Sequence, residues 1–331
     1  MSESATTEQM MSSETRPDST ELVVAILNWN GYALTQACVE SLGRLSGPAH
    51  RVLIVDNGSA EREAERLAGE FGGQVEALAL SRNVGVGGGY NAAIRWARDR
   101  GAKYVLLLNN DTLVNDPLLA RRLIDACGPD VFAVGPLVKE PGGRVWTAGG
   151  LLNWRTCWTG HLQADEITSP TSPYPVAWID GSCMLVSVAA ACEIQGFDEI
   201  FFLYWEEVDI CVRAWRHRLR CLVDPRASIV HLVNQTARPS QIDYLMLRNA
   251  ILFMRRNGTQ SQNATFLLHL LCRRMPLFVA RRIRHGGGVR ESIGMALRSL
   301  GWNLRDAARQ RGWRREAGGS MVCDREGGRP I

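Results

Sequence analysis

Three features of the sequence predict an α/β fold built on a mostly parallel central sheet. Through the first third of the chain, aliphatic runs alternate with amphipathic stretches of helical length, the pattern that βαβ units produce. Residues 22–27, 52–55 and 105–108 are continuous apolar runs, as strands covered on both faces require. Each run ends in a cluster of Asn, Asp, Ser or Gly. Right-handed crossovers then bring all these polar ends to one edge of the sheet.

The elements follow in order. Residues 22–28 form a strand ending in Asn28-Trp29-Asn30, and 32–45 have helical periodicity. A second strand at 51–55 runs into Asp56-Asn57-Gly58-Ser59, and 60–71 form a Glu- and Arg-rich helix. A third strand at 75–80 leads to a glycine-rich loop at 81–89, then a helix through 90–100. The fourth strand, 104–108, enters Asn109-Asn110-Asp111-Thr112. Beyond Pro117 the pattern changes. An apolar strand at 131–138 precedes a turn at 141–143, and 144–180 read as loops and short strands rich in aromatic, Gly and Pro residues. Residues 181–188 read as buried, and 201–217 start extended and become helical. Residues 220–223 and 228–230 are the last two strands; from Gln241 the signal is helical to about residue 285, then weak and glycine-broken.

Composition bounds the class. The 331 residues suffice for one large domain with an extension or for two modest ones, and 46% hydrophobic with 22% charged residues is a globular balance. The expected organisation is a disordered tail at 1–20, a main domain at 21–257, and a basic helical extension at 258–331 that is partly disordered. The net charge of +4 is uneven: residues 255–331 hold 16 Arg against 5 acids, a net +11 that leaves −7 for the rest. Such asymmetry points to an anionic partner, nucleic acid or an acidic membrane surface. Nine cysteines without a CxxC pair fit a reducing compartment better than a disulfide framework or zinc site. No apolar run of membrane-spanning length is present, and the first twenty residues do not read as a signal peptide. The expected location is the cytoplasm, with peripheral contact at the inner face of the cell membrane.

Four polar clusters on one sheet edge describe a site for a phosphate-bearing ligand. Asp56 can accept an imide N–H of a pyrimidine, or cap the helix that follows. Glycines at 85–89, flanked by Asn83 and Asn91, let a backbone approach phosphate or sugar closely. Glu206, Glu207 and Asp209 follow five bulky apolar residues. Neighbouring like charges against an apolar wall raise a carboxylate's pKa, which suits a general base; acids at a helix start also stabilise its dipole. His231 closes an apolar strand and can complete a metal site with Asp111. Arg248 can neutralise a leaving diphosphate. Residues 264–284 set Phe266, Leu267, Leu268, Leu271, Met275 and Phe278 beside Arg273, Arg274, Arg281 and Arg284. A basic amphipathic helix of this kind suits an anionic membrane surface or an oligomer contact, although Pro276 can kink it.

Taken together, residues 26–31, 55–59, 82–91, 107–112 and 201–213 resemble the family 2 glycosyltransferases. These are inverting enzymes of the GT-A fold, a Rossmann-like sheet flanked by helices, and the likeness is to their rhamnosyltransferase-like branch. It covers roughly residues 22–257. The resemblance implies that Asp56 reads the base of a dTDP- or UDP-sugar, while Asn28, Asn30, Asn57, Ser59, Asn83, Gly85, Gly87, Gly88, Asn91, Asn110 and Arg248 line the donor site. Asp111, with Asn109 in the first position of an Asp-X-Asp-like motif, would hold Mg2+ or Mn2+ together with His231. The general base falls on Glu207, with Asp209 and Glu206 as alternatives. Trp178, Asp180 and Trp205 would face a saccharide or lipid-linked acceptor in cell-envelope polysaccharide or glycolipid synthesis. The resemblance implies no nucleic-acid partner; a homodimer is compatible. The rival readings are a sugar-nucleotide nucleotidyltransferase and a non-catalytic nucleotide-sugar or nucleic-acid binding module. Three clustered acids argue against a module that merely binds anions.

Overall fold

The computed structural model describes residues 21–167, 171–232, 239–284 and 288–316. The expected N-terminal tail and the last fifteen residues lie outside them. Among the described residues twelve strands form in chain order: β1 (Leu22–Asn28), β2 (His50–Asp56), β3 (Val75–Ala79), β4 (Tyr104–Asn109), β5 (Thr112–Leu113), β6 (Val131–Lys139), β7 (Val145–Thr147), β8 (Gly150–Asn153), β9 (Trp158–His161), β10 (Tyr174–Pro175), β11 (Cys183–Ser187) and β12 (Arg220–His231). All but the β8–β9 hairpin join one sheet of order β10-β12-β6-β11-β4-β1-β2-β3, with β5 on β12 and β7 on β6. Strands β1 to β4 pair in parallel, whereas β11 runs antiparallel to both β4 and β6.

The helices are α1 (Tyr32–Leu42), α2 (Glu63–Glu70), α3 (Gly85–Asp99), α4 (Leu119–Ala126), α5 (Val188–Glu193), α6 (Glu206–Arg216), α7 (Pro239–Asn257), α8 (Gln260–His269), α9 (Met275–Arg284) and α10 (Val289–Glu316). A π-helical turn, Leu270–Arg274, joins α8 to α9. Side chains alternate across the sheet with the strand period. Val23, Ala25, Val105 and Leu107 pack under α3, α5, α6 and α7. Leu22, Val24, Ile26, Leu106 and Leu108 pack under α1, α2 and α4. Two cores thus sandwich the sheet, which is why the strands read as unbroken apolar runs.

Four expectations need correction. The glycine-rich stretch is no loop: α3 begins at Gly85, and Gly85, Gly87, Gly88 and Gly89 are buried. The two last strands are one strand, β12, bulged between Asp224 and Ser228. Residues before α6 are not extended but include a 3-10 turn at Glu199–Phe201. The chain beyond residue 285 is not weakly helical, because α10 runs to Glu316 and packs on α7 with Ser292, Met295, Ser299 and Asn303 buried. Small polar residues at that contact hide the helix from a search for apolar periodicity.

Close packing dictates the glycines of α3. Gly85 has φ of +81°, and a Cβ there would stand 2.3 Å from the Phe202 carbonyl oxygen. A Cβ on Gly89 would stand 2.3 Å from Leu27 Cδ1. Gly85→Ala combines left-handed strain with backbone overlap and should cost about 3 kcal/mol of unfolding free energy in a denaturant titration.

Candidate active site

The polar ends of β1, β2 and β4 sit side by side, because β1 is flanked by β2 and β4 at the point where strand order reverses. Asn28, fully buried, organises this edge. Its Nδ2 donates to Glu63 Oε2 at 2.9 Å and Ser59 Oγ at 3.3 Å. Its Oδ1 accepts from Thr35 Oγ1 at 2.7 Å and Asn110 Nδ2 at 3.4 Å. Ser59 Oγ also accepts the Asn30 N–H, and Asn30 Oδ1 accepts the Ala60 N–H. Asp56 takes the Ser59 N–H at 2.8 Å and the Ala64 N–H at 3.4 Å, so it orders the turn into α2 and keeps acceptor capacity on Oδ2. Asn57 clamps the next segment: its Oδ1 accepts from Val84 N–H, and its Nδ2 donates to Asn83 Oδ1 and the Gly85 carbonyl.

Asp111 and His231 are 120 residues apart, yet the short β5 joins them. It pairs with the end of β12, with Thr112 opposite His231, and the Leu232 N–H bonds the Asp111 carbonyl. His231 Nε2 then lies 3.1 Å from Asp111 Oδ1. Burial lowers the imidazole pKa, but the hydrogen bond and charge of Asp111, with Asp180 behind, prevail and raise it. Adjacent ligands of an octahedral ion bound at about 2.1 Å stand about 3 Å apart. The pair therefore fits two neighbouring positions around Mg2+ or Mn2+. Among the described residues no third His, Cys, Asp or Glu completes a cluster, so remaining positions would fall to diphosphate oxygens and water.

Glu206 and Glu207 open α6 behind an unusual turn. Phe202, Tyr204 and Trp205 all have positive φ, at 66°, 67° and 77°, a conformation that costs energy for bulky residues. Asn249 Nδ2 holds the turn through the carbonyls of Phe201, Leu203 and Tyr204 at 2.7–2.9 Å. Arg248 Nη2 adds bonds to the carbonyls of Ile200 and Phe201, and the Val86 N–H bonds that of Phe202. The Oε2 atoms of Glu206 and Glu207 are buried without a hydrogen-bond partner among the described residues. Burial, and then the charge of Glu207, hold the Glu206 carboxyl well above the ordinary range. Burial and the nearby Asp180 carboxylate push Glu207 up to about 7, against hydrogen bonds from its own backbone and from Glu206.

Several expected site residues have other partners. A Cβ on Gly85, Gly87 or Gly88 would meet Phe202, Phe197 or Val84 respectively. Asn91 is buried, exchanging bonds with the Phe197 backbone and Glu199. Arg248 is spent on backbone carbonyls and on the Trp302 ring, 4.7 Å away. Asp209 has both oxygens occupied, by Arg213 at 2.7 Å and Asn257 at 2.8 Å. Trp205 is core, packed on Phe253. Trp178 is buried against His161 and donates to the Leu151 carbonyl. Asp180 stays beside Glu207 and His231. Three residues escaped the sequence reading: Glu63, Asn249 and Tyr90, whose hydroxyl bonds Asn109 Oδ1 and the Gly181 carbonyl. Only Asn249, a polar residue inside an apolar helical stretch, left a trace in the pattern.

The mixed sheet and its flanking helices match the fold of solved GT-A glycosyltransferases. The chain belongs to glycosyl transferase family 2, whose profile matches residues 23–188. It is similar to the N-acetylglucosaminyl-diphospho-decaprenol L-rhamnosyltransferase of Mycobacterium tuberculosis, 29% identical over 204 residues, a match covering 54% of this chain and 66% of that protein. The match to the low-salt glycan biosynthesis hexosyltransferase of Haloferax volcanii is 26% identical and covers 63% of this chain and 68% of that one. By fold it resembles S. aureus TarS 1-349 solved with UDP-GlcNAc, with a TM-score of 0.55, 16% identity, and coverage of 86% of this chain and 81% of that one. The Pyrobaculum calidifontis mannosyltransferase solved with GDP-Man and Mn2+ gives a TM-score of 0.53 at 15% identity, covering 93% and 79%.

Asn249→Ala removes the donor that three buried carbonyls share. It should lower stability by about 2–3 kcal/mol and release the turn that presents Glu207, read as a loss of Tm together with faster proteolysis near residue 203.

Proposed function

We propose that this chain is an inverting glycosyltransferase that moves a sugar from a dTDP- or UDP-linked donor to an acceptor hydroxyl. The observation that carries the reading is the Glu206–Glu207 carboxyl pair, whose Oε2 atoms are buried beside Asp180, a carboxylate whose charge also reaches His231. A carboxylate with a pKa of about 7 is matched to general-base work near neutrality. Asp209 cannot share the role while both its oxygens are engaged.

In this reading Asp56 accepts the imide N–H of the pyrimidine, and Asn30 and Ser59 border the nucleoside. Asp111 and His231 would hold Mg2+ or Mn2+, which would supply positive charge for the departing diphosphate. Asp180 orients an acceptor hydroxyl toward Glu207. Glu207 takes that proton as the oxygen attacks the anomeric carbon opposite the leaving group, so configuration inverts in one displacement. The likeness to a rhamnosyltransferase and a glycan hexosyltransferase supports rhamnose as the sugar and a lipid-linked or saccharide acceptor in envelope glycan synthesis.

Three measurements test this. Glu207→Gln should leave the donor Kd within about twofold and lower kcat by about 10²–10⁴. Glu207 must be ionised to accept a proton, so kcat/KM should fall about tenfold per pH unit below about 7. Retained turnover in the variant would move the base to Glu206. In a thermal-shift screen, dTDP or UDP with Mn2+ should stabilise the protein, purine diphosphates should not, and His231→Ala should remove the metal dependence. No shift with any nucleotide would overturn the reading.

A further inference from the structure

The helical extension presents an apolar surface that the transfer reaction does not use. Of the thirteen large hydrophobic residues exposed among the described residues, nine lie between Leu267 and Leu304. On α8 and the turn after it, Leu267, Leu268 and Leu271 are 49%, 65% and 53% exposed. At 100° per residue they share about 100° of helix circumference. On α10, Ile293, Leu297 and Leu304 fall within about 40° of one another and are likewise exposed. On the other side of α10, Ser292, Met295, Ser299 and Asn303 are buried, and Asn303 bonds Arg248 and Arg255 of α7.

Charge follows the same geometry. Residues 260–316 contain twelve arginines and three acids. Arg290, Arg298 and Arg305 form a second exposed stripe on α10, adjacent to the leucine stripe and facing away from the core. Arg273 and Arg284 are exposed on the α8–α9 side. The ion pairs of this region use Arg255 and Arg282 instead. An apolar stripe edged by unneutralised arginines is the pattern of a helix lying in a lipid headgroup layer. No helix among the described residues is long and apolar enough to cross a membrane.

We infer that α8–α10 form a docking surface for an anionic lipid bilayer. The leucines enter the headgroup boundary, while the arginine stripe meets lipid phosphates. A second copy of the chain fits less well: interface cores are depleted of charge, and a two-fold contact would set arginine stripes against each other. The surface is rigidly connected to the site. Trp302 stacks under the Arg248 guanidinium, and Asn303 Nδ2 bonds the Arg248 carbonyl at 3.0 Å. Docking α10 therefore fixes the residue that grips the turn before Glu206.

Co-sedimentation of the full chain with vesicles tests the inference independently of catalysis. The chain should pellet with phosphatidylglycerol–phosphatidylcholine vesicles at low salt, and binding should weaken in high salt and with phosphatidylcholine alone. L268S/L271S and L297S/L304S should each lower vesicle binding at least about tenfold, and R298E/R305E should do the same. These positions are exposed, so the fold and the nucleotide-induced thermal shift should survive. Failure to pellet, or unchanged binding in all three variants, would overturn the proposal. So would a lipid-free dimer, seen by sedimentation velocity, that the serine substitutions dissociate.

Discussion

The site depends on how the chain from Phe201 to Trp205 is held. Three bulky residues in left-handed conformation cannot hold that shape unaided, because each would relax to negative φ. Asn249 and Arg248, neighbours on α7, bind five carbonyl contacts of this turn between them. Gly85 lets α3 approach the same turn so closely that the Val86 N–H reaches the Phe202 carbonyl. Helix, turn and glycine contact together aim the first turn of α6. The acids at its start serve two ends at once, complementing the helix dipole and supplying the carboxyl pair.

Around that fixed point, tertiary packing sets the electrostatics. Glu206 and Glu207 are taken from water without a compensating cation, so burial outweighs every hydrogen bond and the pair shares charge reluctantly. Asp209, two residues on, meets the opposite environment, with Arg213 and Asn257 against it. Three acids in four residues thus divide into a strained pair and a structural anchor. On the far side of Asp180, the β5–β12 pairing holds Asp111 against His231. The helical extension adds a further constraint, since α10 reaches Arg248 through Trp302 and Asn303.

Much of the frame was legible in the residues. The strand β1 has the bounds expected for it, and β2, β3 and β4 depart from theirs by a residue or so. Continuous aliphatic runs between helical stretches have few alternatives to a sheet covered on both faces. The gathering of Asn28, Asp56 and Asn110 at one edge followed from parallel connections alone. Other inferences misjudged what a residue touches. Asn91 and Gly87 carry no mark distinguishing a ligand contact from a tight helix–turn contact, and Arg248 looked like a free cation on a helix. The extension past residue 285 was misjudged because α10 packs through Ser, Ala and Asn, which give little apolar period.

The sequence by itself determined the α/β class, the succession of strands and helices in the first half, and the set of polar groups delivered to the sheet's edge. Periodicity and turn chemistry are local, so they can be read along the chain. Tertiary structure alone decided which groups face one another. It engaged Asp209, buried Trp205, and set Arg248 on backbone carbonyls. Those outcomes rest on contacts between residues far apart in the chain, where burial and hydrogen-bond geometry select the partner and local pattern carries no record of it.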